Sequence, residues 1–353
     1  CRRNSCRCHS VSQMVSTIQL RGGYEEAPLL LPRFIEKGVL SYAGVLEKSG
    51  KTNNGARENM KYMRDGLPDS YGFLQLQDKI LEIATYIDSF CEQNNIDYCL
   101  MGGSALGAKR HGGFIPWDDD LDIFMTPDNY EKFRAAFMDH GDKETFYLQE
   151  YGKTKKGYVS VPKLRMNGTT YVEKLLENKK VHQGIFVDIF ILHNCPNAKI
   201  AQLWQCFWAK CVVVKGMSMR GYDRQKGGRQ FLISFAKILP KKVMVDFALS
   251  QVYRFRNRKS KYYCNFLGKA VYKKGLYQKE WFSETEPIPF EKVSLRAPKG
   301  LHEFLTERFG DYMVMPSADR IKWEQHALKW DTEKDFSEYV NKERDFSDEK
   351  YLV

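Results

Sequence analysis

Gly102-Gly103-Ser104-Ala105-Leu106-Gly107-Ala108-Lys109-Arg110-His111-Gly112-Gly113-Phe114-Ile115-Pro116-Trp117-Asp118-Asp119-Asp120-Leu121-Asp122-Ile123 is the stretch that decides the fold. The segment Ile96 to Met101 before it reads as a strand. The glycine pair then turns the chain, and Ser104 reads as a helix N-cap. Residues 111–119 form a loop carrying glycines and Pro116. Asp120-Leu121-Asp122-Ile123 alternates acid and apolar residue, the period of a strand. Both carboxylates therefore project on one face, while Leu121 and Ile123 enter a core. Two acids side by side repel unless a cation lies between them. Hard carboxylate oxygens suit Mg²⁺ or Mn²⁺, which leave room for phosphate oxygens. A phosphate-cradling turn at Gly102, Gly103 and Ser104, followed by a metal-binding acid pair, points to nucleotidyl or phosphoryl transfer.

Upstream, Leu76, Ile80, Ile83, Ile87 and Phe90 recur at helical spacing between Phe73 and Asn94. Downstream, Thr126-Pro127 reads as N-cap and first residue of a helix running to about His140. Strands are expected at 146–151, 158–165 and 169–173. Gly184 to Leu192 is an apolar strand interrupted by one acid, Asp188. A buried, unpaired carboxylate is costly, so Asp188 needs a cation, a basic partner or a raised pKa. Placed beside the Asp120–Asp122 strand, it completes a three-carboxylate site. The expected fold is α/β, with a nucleotidyltransferase-like mixed-sheet core over residues 60–330.

The chain has 353 residues and a formal net charge of +11, placed unevenly. Residues 199–279 hold nineteen Lys and Arg against Asp223 and Asp246, a surplus of +17 that leaves −6 for the rest. Residues 198–280 read as a mainly helical, basic insertion in which Trp204, Phe207, Trp208, Phe231, Phe235 and Phe247 stand among the cations. Such helices suit an anionic membrane surface, with Lys241, Lys242, Arg256 and Arg258 as candidate contacts. Nucleic acid is the less favoured partner, since no RNA-binding module is recognisable.

Pro287–Phe290 and Val293–Leu295 read as extended, and Gly300–Phe309 as a helix ending at Gly310. Residues 331–353 are a charged tail expected to fray. Residues 1–59 lack a pattern and read as a disordered extension, with Met60 a candidate start. No apolar run approaches the roughly 18–20 residues that span a bilayer. Val11–Leu20 is too polar for a signal-peptide core. A cytoplasmic protein, at the inner face of the membrane, is expected. Nine cysteines include no CxxC pair, and Cys6, Cys8 and His9 lack a second ligand pair for zinc. Cys91, Cys99, Cys195, Cys206, Cys211 and Cys264 read as buried thiols.

Residues 104–123 resemble the signature of the LicD family, which includes bacterial phosphocholine transferases and is related to fukutin and fukutin-related protein. Tyr158-Val-Ser-Val-Pro-Lys-Leu-Arg165, Gly184-Ile-Phe-Val-Asp-Ile-Phe190, and the block from Ala297-Pro298 through Arg308-Phe-Gly-Asp-Tyr-Met313 to Pro316 and His326 resemble further parts of it. The likeness runs from about residue 70 to 330. Ile191-Leu192-His193-Asn194 stands where the family usually carries Pro and then an acid.

The resemblance implies transfer of a phospho-alcohol, foremost phosphocholine, from a CDP-linked donor to a sugar of a cell-surface glycan, the acceptor being lipid-linked. Asp120, Asp122 and Asp188 would be catalytic metal ligands, Asp188 alternatively the base. Asp118 and Asp119 would support or cap. Gly102, Gly103, Ser104, Lys109, Arg110 and His111 would contact phosphate. Lys163 and Arg165, two apart on a strand, would bind the donor diphosphate. Trp117 would stack on cytosine or pack the loop, and His326 would reach the site from the C-terminal block. Two alternatives remain: a nucleotidyltransferase moving NMP to RNA, protein or a small molecule, and a non-catalytic glycan-binding protein.

Overall fold

Helix α1 (Leu74–Gln93) follows directly from the 3.6-residue period and buries Leu76, Ile80, Ile83, Ile87 and Phe90. The Asp69 carboxylate accepts the Phe73 and Leu74 N–H groups at 3.0 and 3.2 Å, satisfying donors that the first turn leaves over. These are features of a computed structural model that describes residues 69, 71–150, 161–173, 176, 181–220, 234, 236, 238, 241–268, 272–317, 321 and 325–339. The expectations for residues 1–59, Phe231 and Phe235 lie outside the described residues.

After α1 come β1 (Cys99–Leu100), α2 (Gly102–His111), β2 (Asp122–Met125), α3 (Pro127–His140), β3 (Phe146–Gln149), β4 (Lys163–Met166), β5 (Thr170–Glu173) and β6 (Phe186–Ile191). Five strands form one mixed sheet in the order β1-β2-β6-β4-β3. The β2–β6 pair is parallel and the others antiparallel. Thr126 caps α3 as expected, accepting the Asn129 N–H at 3.3 Å, with Pro127 in the first turn. The core lies between this sheet and its helices. Phe90 meets Phe133 and Phe137 edge-on, and Phe124 of β2 packs against Phe282 and Phe304.

Three expectations are corrected. Ser104 does not cap α2. The helix begins at Gly102, so Ser104 lies inside its first turn, and its buried Oγ accepts the Asp122 N–H at 2.8 Å. The basic insertion carries strands besides its helices. Helices α4 (Lys199–Arg220) and α5 (Lys241–Tyr253) are followed by β8 (Tyr262–Cys264) and β9 (Leu276–Gln278), which join β7 (His193–Cys195) in a three-stranded sheet. Strands of three residues are too short to show a period. The tail is tied down as far as residue 339. After the hairpin β10 (Thr285–Phe290) and β11 (Val293–Pro298) and helix α6 (Leu301–Phe309), β12 (Ala327–Asp331) pairs with β5. Phe336 is buried beyond it, against His182.

The described cysteines are free thiols; all are buried except Cys211, which is half-buried. No described helix is long and apolar enough to cross a membrane.

Candidate active site

The parallel register of β2 and β6 sets Asp122 opposite Asp188, and the antiparallel register of β6 and β4 sets Asp188 opposite Lys163. Residues directly opposite on neighbouring strands share a sheet face. The three side chains therefore form a row across the middle of the sheet. Lys163 Nζ lies 2.7 Å from Asp188 Oδ1 and 3.7 Å from Glu173 Oε1. Arg165, fully buried, donates to Glu173 Oε2 at 3.2 Å, Gln149 Oε1 at 2.7 Å and the Gly184 carbonyl at 2.7 Å. Both cations lie against the Phe186 ring, at 3.5 and 4.7 Å from its centroid.

Lys163 and Arg165 do share a face, as their spacing requires. Both are buried in ion pairs with Asp188 and Glu173. A buried cation is tolerated only when paired and hydrogen-bonded. Burial pushes the Asp188 carboxyl up, Lys163 pulls it down, and Glu173 and Asp120 raise it further; the net direction is upward.

The loop between α2 and β2 is pinned at several points. Gln77 Nε2 donates to the Ile115 and Asp118 carbonyls at 3.2 and 2.8 Å. Gly107 admits the loop, because a Cβ there would collide with the Gly113 carbonyl and sit 3.2 Å from the Ile115 nitrogen. Asp119, fully buried, accepts the His326 and Ala327 N–H groups on Oδ2 at 2.6 and 2.8 Å. His326 Nδ1 lies 3.2 Å from Asp119 Oδ1 and 3.5 Å from Asp120 Oδ2. The C-terminal block thus reaches the acidic loop through two backbone amides and one imidazole.

The start of α2 faces the acids. A Cβ on Gly103 would lie 2.8 Å from Asp118 Oδ2, and one on Gly102 3.8 Å from Asp122 Oδ2. Gly102 itself has φ +53°, a conformation that disfavours side chains. These glycines bring the partly positive helix end against carboxylates.

The far end of α2 lies elsewhere, roughly 12 Å along the helix axis. Arg110 is buried there, donating to the Tyr312 carbonyl at 2.9 Å and to His111 Nε2 at 3.0 Å. His111 is buried, and burial beside Arg110 lowers its pKa to about 3. The expectation of phosphate contacts for these two is corrected: both are spent on packing the C-terminal segment. Lys109 is exposed at the same end. Trp117 is buried against Tyr71 and His111, so it packs the loop.

Sequence reading missed Glu173, Gln149, Gln77 and Tyr171. Tyr171 carries the clearest signal of the four. Its ring packs edge-on against Phe186 at 4.8 Å, and its buried hydroxyl makes no hydrogen bond among the described residues. Burial, then Asp119, Asp120, Glu173 and Asp118, raise its pKa well above the ordinary tyrosine value. A tyrosine in an apolar strand reads as core, so only the surrounding acids reveal it.

The donor set fits a divalent cation. Asp119, Asp120 and His326 offer ligand atoms within 4.8 Å of one another, and Asp122 and Asp188 stand opposite each other on β2 and β6. Such an oxygen-rich set suits Mg²⁺ or Mn²⁺.

Residues 95–210 match the LicD/FKTN/FKRP nucleotidyltransferase domain. The lipopolysaccharide cholinephosphotransferase LicD of Haemophilus influenzae is 27% identical over 259 residues, covering 69% of this chain and 91% of its own length. The ribitol 5-phosphate transferase FKRP of Homo sapiens is 50% identical over 58 residues, 16% of this chain and 12% of its own length; that of Mus musculus matches equally. An acid pair entering β2, a third acid in register on the parallel β6, and these likenesses agree: residues 95–210 carry the LicD/FKTN/FKRP nucleotidyltransferase domain.

Proposed function

We propose that this chain transfers a phospho-alcohol, foremost phosphocholine, from a CDP-linked donor to a sugar hydroxyl of a cell-surface glycan precursor. The single observation that carries the reading is the register of Asp122 with Asp188 across a parallel strand pair, with Gly102 and Gly103 opening a helix directly over it. The likeness to a lipopolysaccharide cholinephosphotransferase over 69% of the chain supports this donor class.

In this reading Asp120, Asp122 and Asp188 hold Mg²⁺ or Mn²⁺. Bound there, the ion would supply charge neutralisation for the donor diphosphate. The backbone N–H groups of Gly102 and Gly103 orient a phosphate at the helix start. Asp119 and His326 hold the acidic loop, and the Tyr171 hydroxyl gives a buried donor to substrate oxygen. The acceptor oxygen bonds to the phosphorus bearing the alcohol. The bond from that phosphorus to the diphosphate bridge breaks, its electron pair leaving with CMP, and the hydroxyl proton passes to water.

The test is product analysis with purified chain and Mg²⁺, offered CDP-choline, CDP-ribitol, CDP-glycerol and nucleoside triphosphates in turn. Release of CMP from one CDP-alcohol, abolished in Asp122→Asn, supports the reading. Pyrophosphate release from a triphosphate would replace it with NMP transfer, and turnover of neither donor class would refute an enzymatic role.

A further inference from the structure

Helix α4 carries Ile200, Leu203, Trp204 and Phe207 at spacings of three and four, so they form one stripe along two turns. All four are exposed, Ile200 at 85% and Phe207 at 57%, and Phe247 of the neighbouring α5 extends the patch at 51%. These side chains are not the core of the helical pair. That role falls to Val212, Val245 and Ala248, with Trp208 half-buried between Trp204, Phe207 and Phe247 at 5.7, 5.2 and 5.0 Å. A contiguous apolar patch on a soluble surface marks an interaction site.

The charge around the patch identifies its partner. Arg254 and Arg258, both exposed, line one shallow cleft with Ile200 and Trp204. Lys199 and Lys259 are exposed nearby in sequence, and Asp246 is the one acid within α4 and α5. The surplus of +17 over residues 199–279 makes self-association through this face unfavourable, since it would bring two like-charged segments together. An aromatic and aliphatic stripe rimmed by arginine and lysine is complementary to a layer with anionic headgroups over apolar chains. The aromatics enter the interface while the cations stay among the headgroups. We propose that the α4–α5 face docks this chain onto an anionic lipid surface, lying in the interface rather than crossing it.

Arg256 is not part of the docking face. Its guanidinium is held by Asp128 and by Glu131 Oε2 at 2.7 Å, tying the end of the helical pair to α3. Lys241 and Lys242 lie where side chains are not described. This proposal does not rest on the transfer chemistry, and its test needs no substrate.

The experiment is co-sedimentation of the full chain with vesicles of phosphatidylcholine alone and with phosphatidylglycerol admixed. Binding is expected to the anionic vesicles and not to the neutral ones, weakening as salt screens the headgroups. Ile200→Ser with Phe207→Ser should weaken it by about a hundredfold, since each buried apolar side chain contributes about tenfold. Arg254→Gln with Arg258→Gln should cost on the order of fivefold per charge. Both pairs are surface changes, so unaltered melting confirms that the loss is local. The proposal is overturned by absent binding, by equal binding to neutral vesicles, or by anionic binding indifferent to Ile200→Ser with Phe207→Ser. A dimer in sedimentation equilibrium that those serines dissolve, without vesicle binding, would assign the face to self-association instead.

Discussion

Replacing Asp119 separates a structural carboxylate from the ones proposed to hold the metal beside it. Its Oδ2 accepts two backbone N–H groups, from His326 and Ala327, and its Oδ1 faces His326 Nδ1. Asp119→Ala strips the acceptor from all three. Hydrogen bonds to a charged group contribute about 1.5–3 kcal/mol each, and a buried donor left unsatisfied costs its desolvation. Since the His326 ring is partly exposed and can turn to water, the loss should be roughly 3–5 kcal/mol. At about 1.5–2 °C per kcal/mol for a chain of this size, melting should fall by about 5–10 °C. Asp119→Asn keeps one acceptor oxygen for the two amides and presents an NH₂ to the imidazole, so its loss should stay near 1 kcal/mol. Melting curves rank the two variants, and hydrogen exchange at the His326 and Ala327 amides localises the effect: fast in Asp119→Ala, slow in Asp119→Asn. The reasoning is refuted if Asp119→Ala melts within 2 °C of the parent (about 1 kcal/mol), or if those amides stay protected.

Four further outcomes are expected. Asp120→Asn and Asp122→Asn should each lower Mg²⁺-dependent turnover on the order of a thousandfold with the fold intact, read by CMP release and circular dichroism. Tyr171→Phe removes a hydroxyl with no hydrogen bond among the described residues; stability should hold within about 0.5 kcal/mol while turnover drops by at least tenfold, and unchanged turnover would remove Tyr171 from the site. Gly107→Ala drives a methyl into the Gly113 carbonyl and should cost about 2–4 kcal/mol in urea unfolding. Burial lowers the pKa of His193 to about 3, and burial beside Arg110 lowers that of His111 to about 3. The unfolded chain, titrating near 6.5, therefore binds more protons below that pH. Stability should be whole above about pH 7 and fall as pH drops through 6.5 toward 3, by about 1.4 kcal/mol per unit for each histidine, with a shallower slope in His193→Phe.

Much of the scaffold was legible because its signals are local. The 3.6 period gave α1, Thr126-Pro127 opened α3, and the alternation around Asp122 and the apolar run holding Asp188 marked two core strands. What stayed hidden depends on register and on contacts far apart in the chain. Nothing in Lys163-Leu-Arg165 shows that β4 runs antiparallel to β6 with Lys163 opposite Asp188, and hence that both cations turn inward. Arg110 looks like a surface residue in a basic triplet until the Tyr312 carbonyl, 202 residues on, is seen to receive it. Strands β8 and β9 were lost among basic residues because three residues cannot display a period. Ser104 was misread for a subtler reason: a serine after two glycines favours a cap, yet here the glycines are themselves the first helical turn.

The bond between Asp119 and the His326–Ala327 amides also fixes an order of assembly. The family-domain match spans residues 95–210, but the floor of the acidic loop is supplied 207 positions beyond Asp119. Closing a loop of that length costs about 5 kcal/mol in chain entropy, more than a single hydrogen bond returns. Closure must therefore be cooperative, with the Arg110–Tyr312 bond and the β5–β12 ladder forming together with the Asp119 contacts. On the ribosome, a nascent chain short of Ala327 holds every acid of the centre yet lacks the strap that sets them. Competence to bind a donor would then arrive late in synthesis and all at once, and an isolated 95–210 fragment would carry the motif without the catalyst.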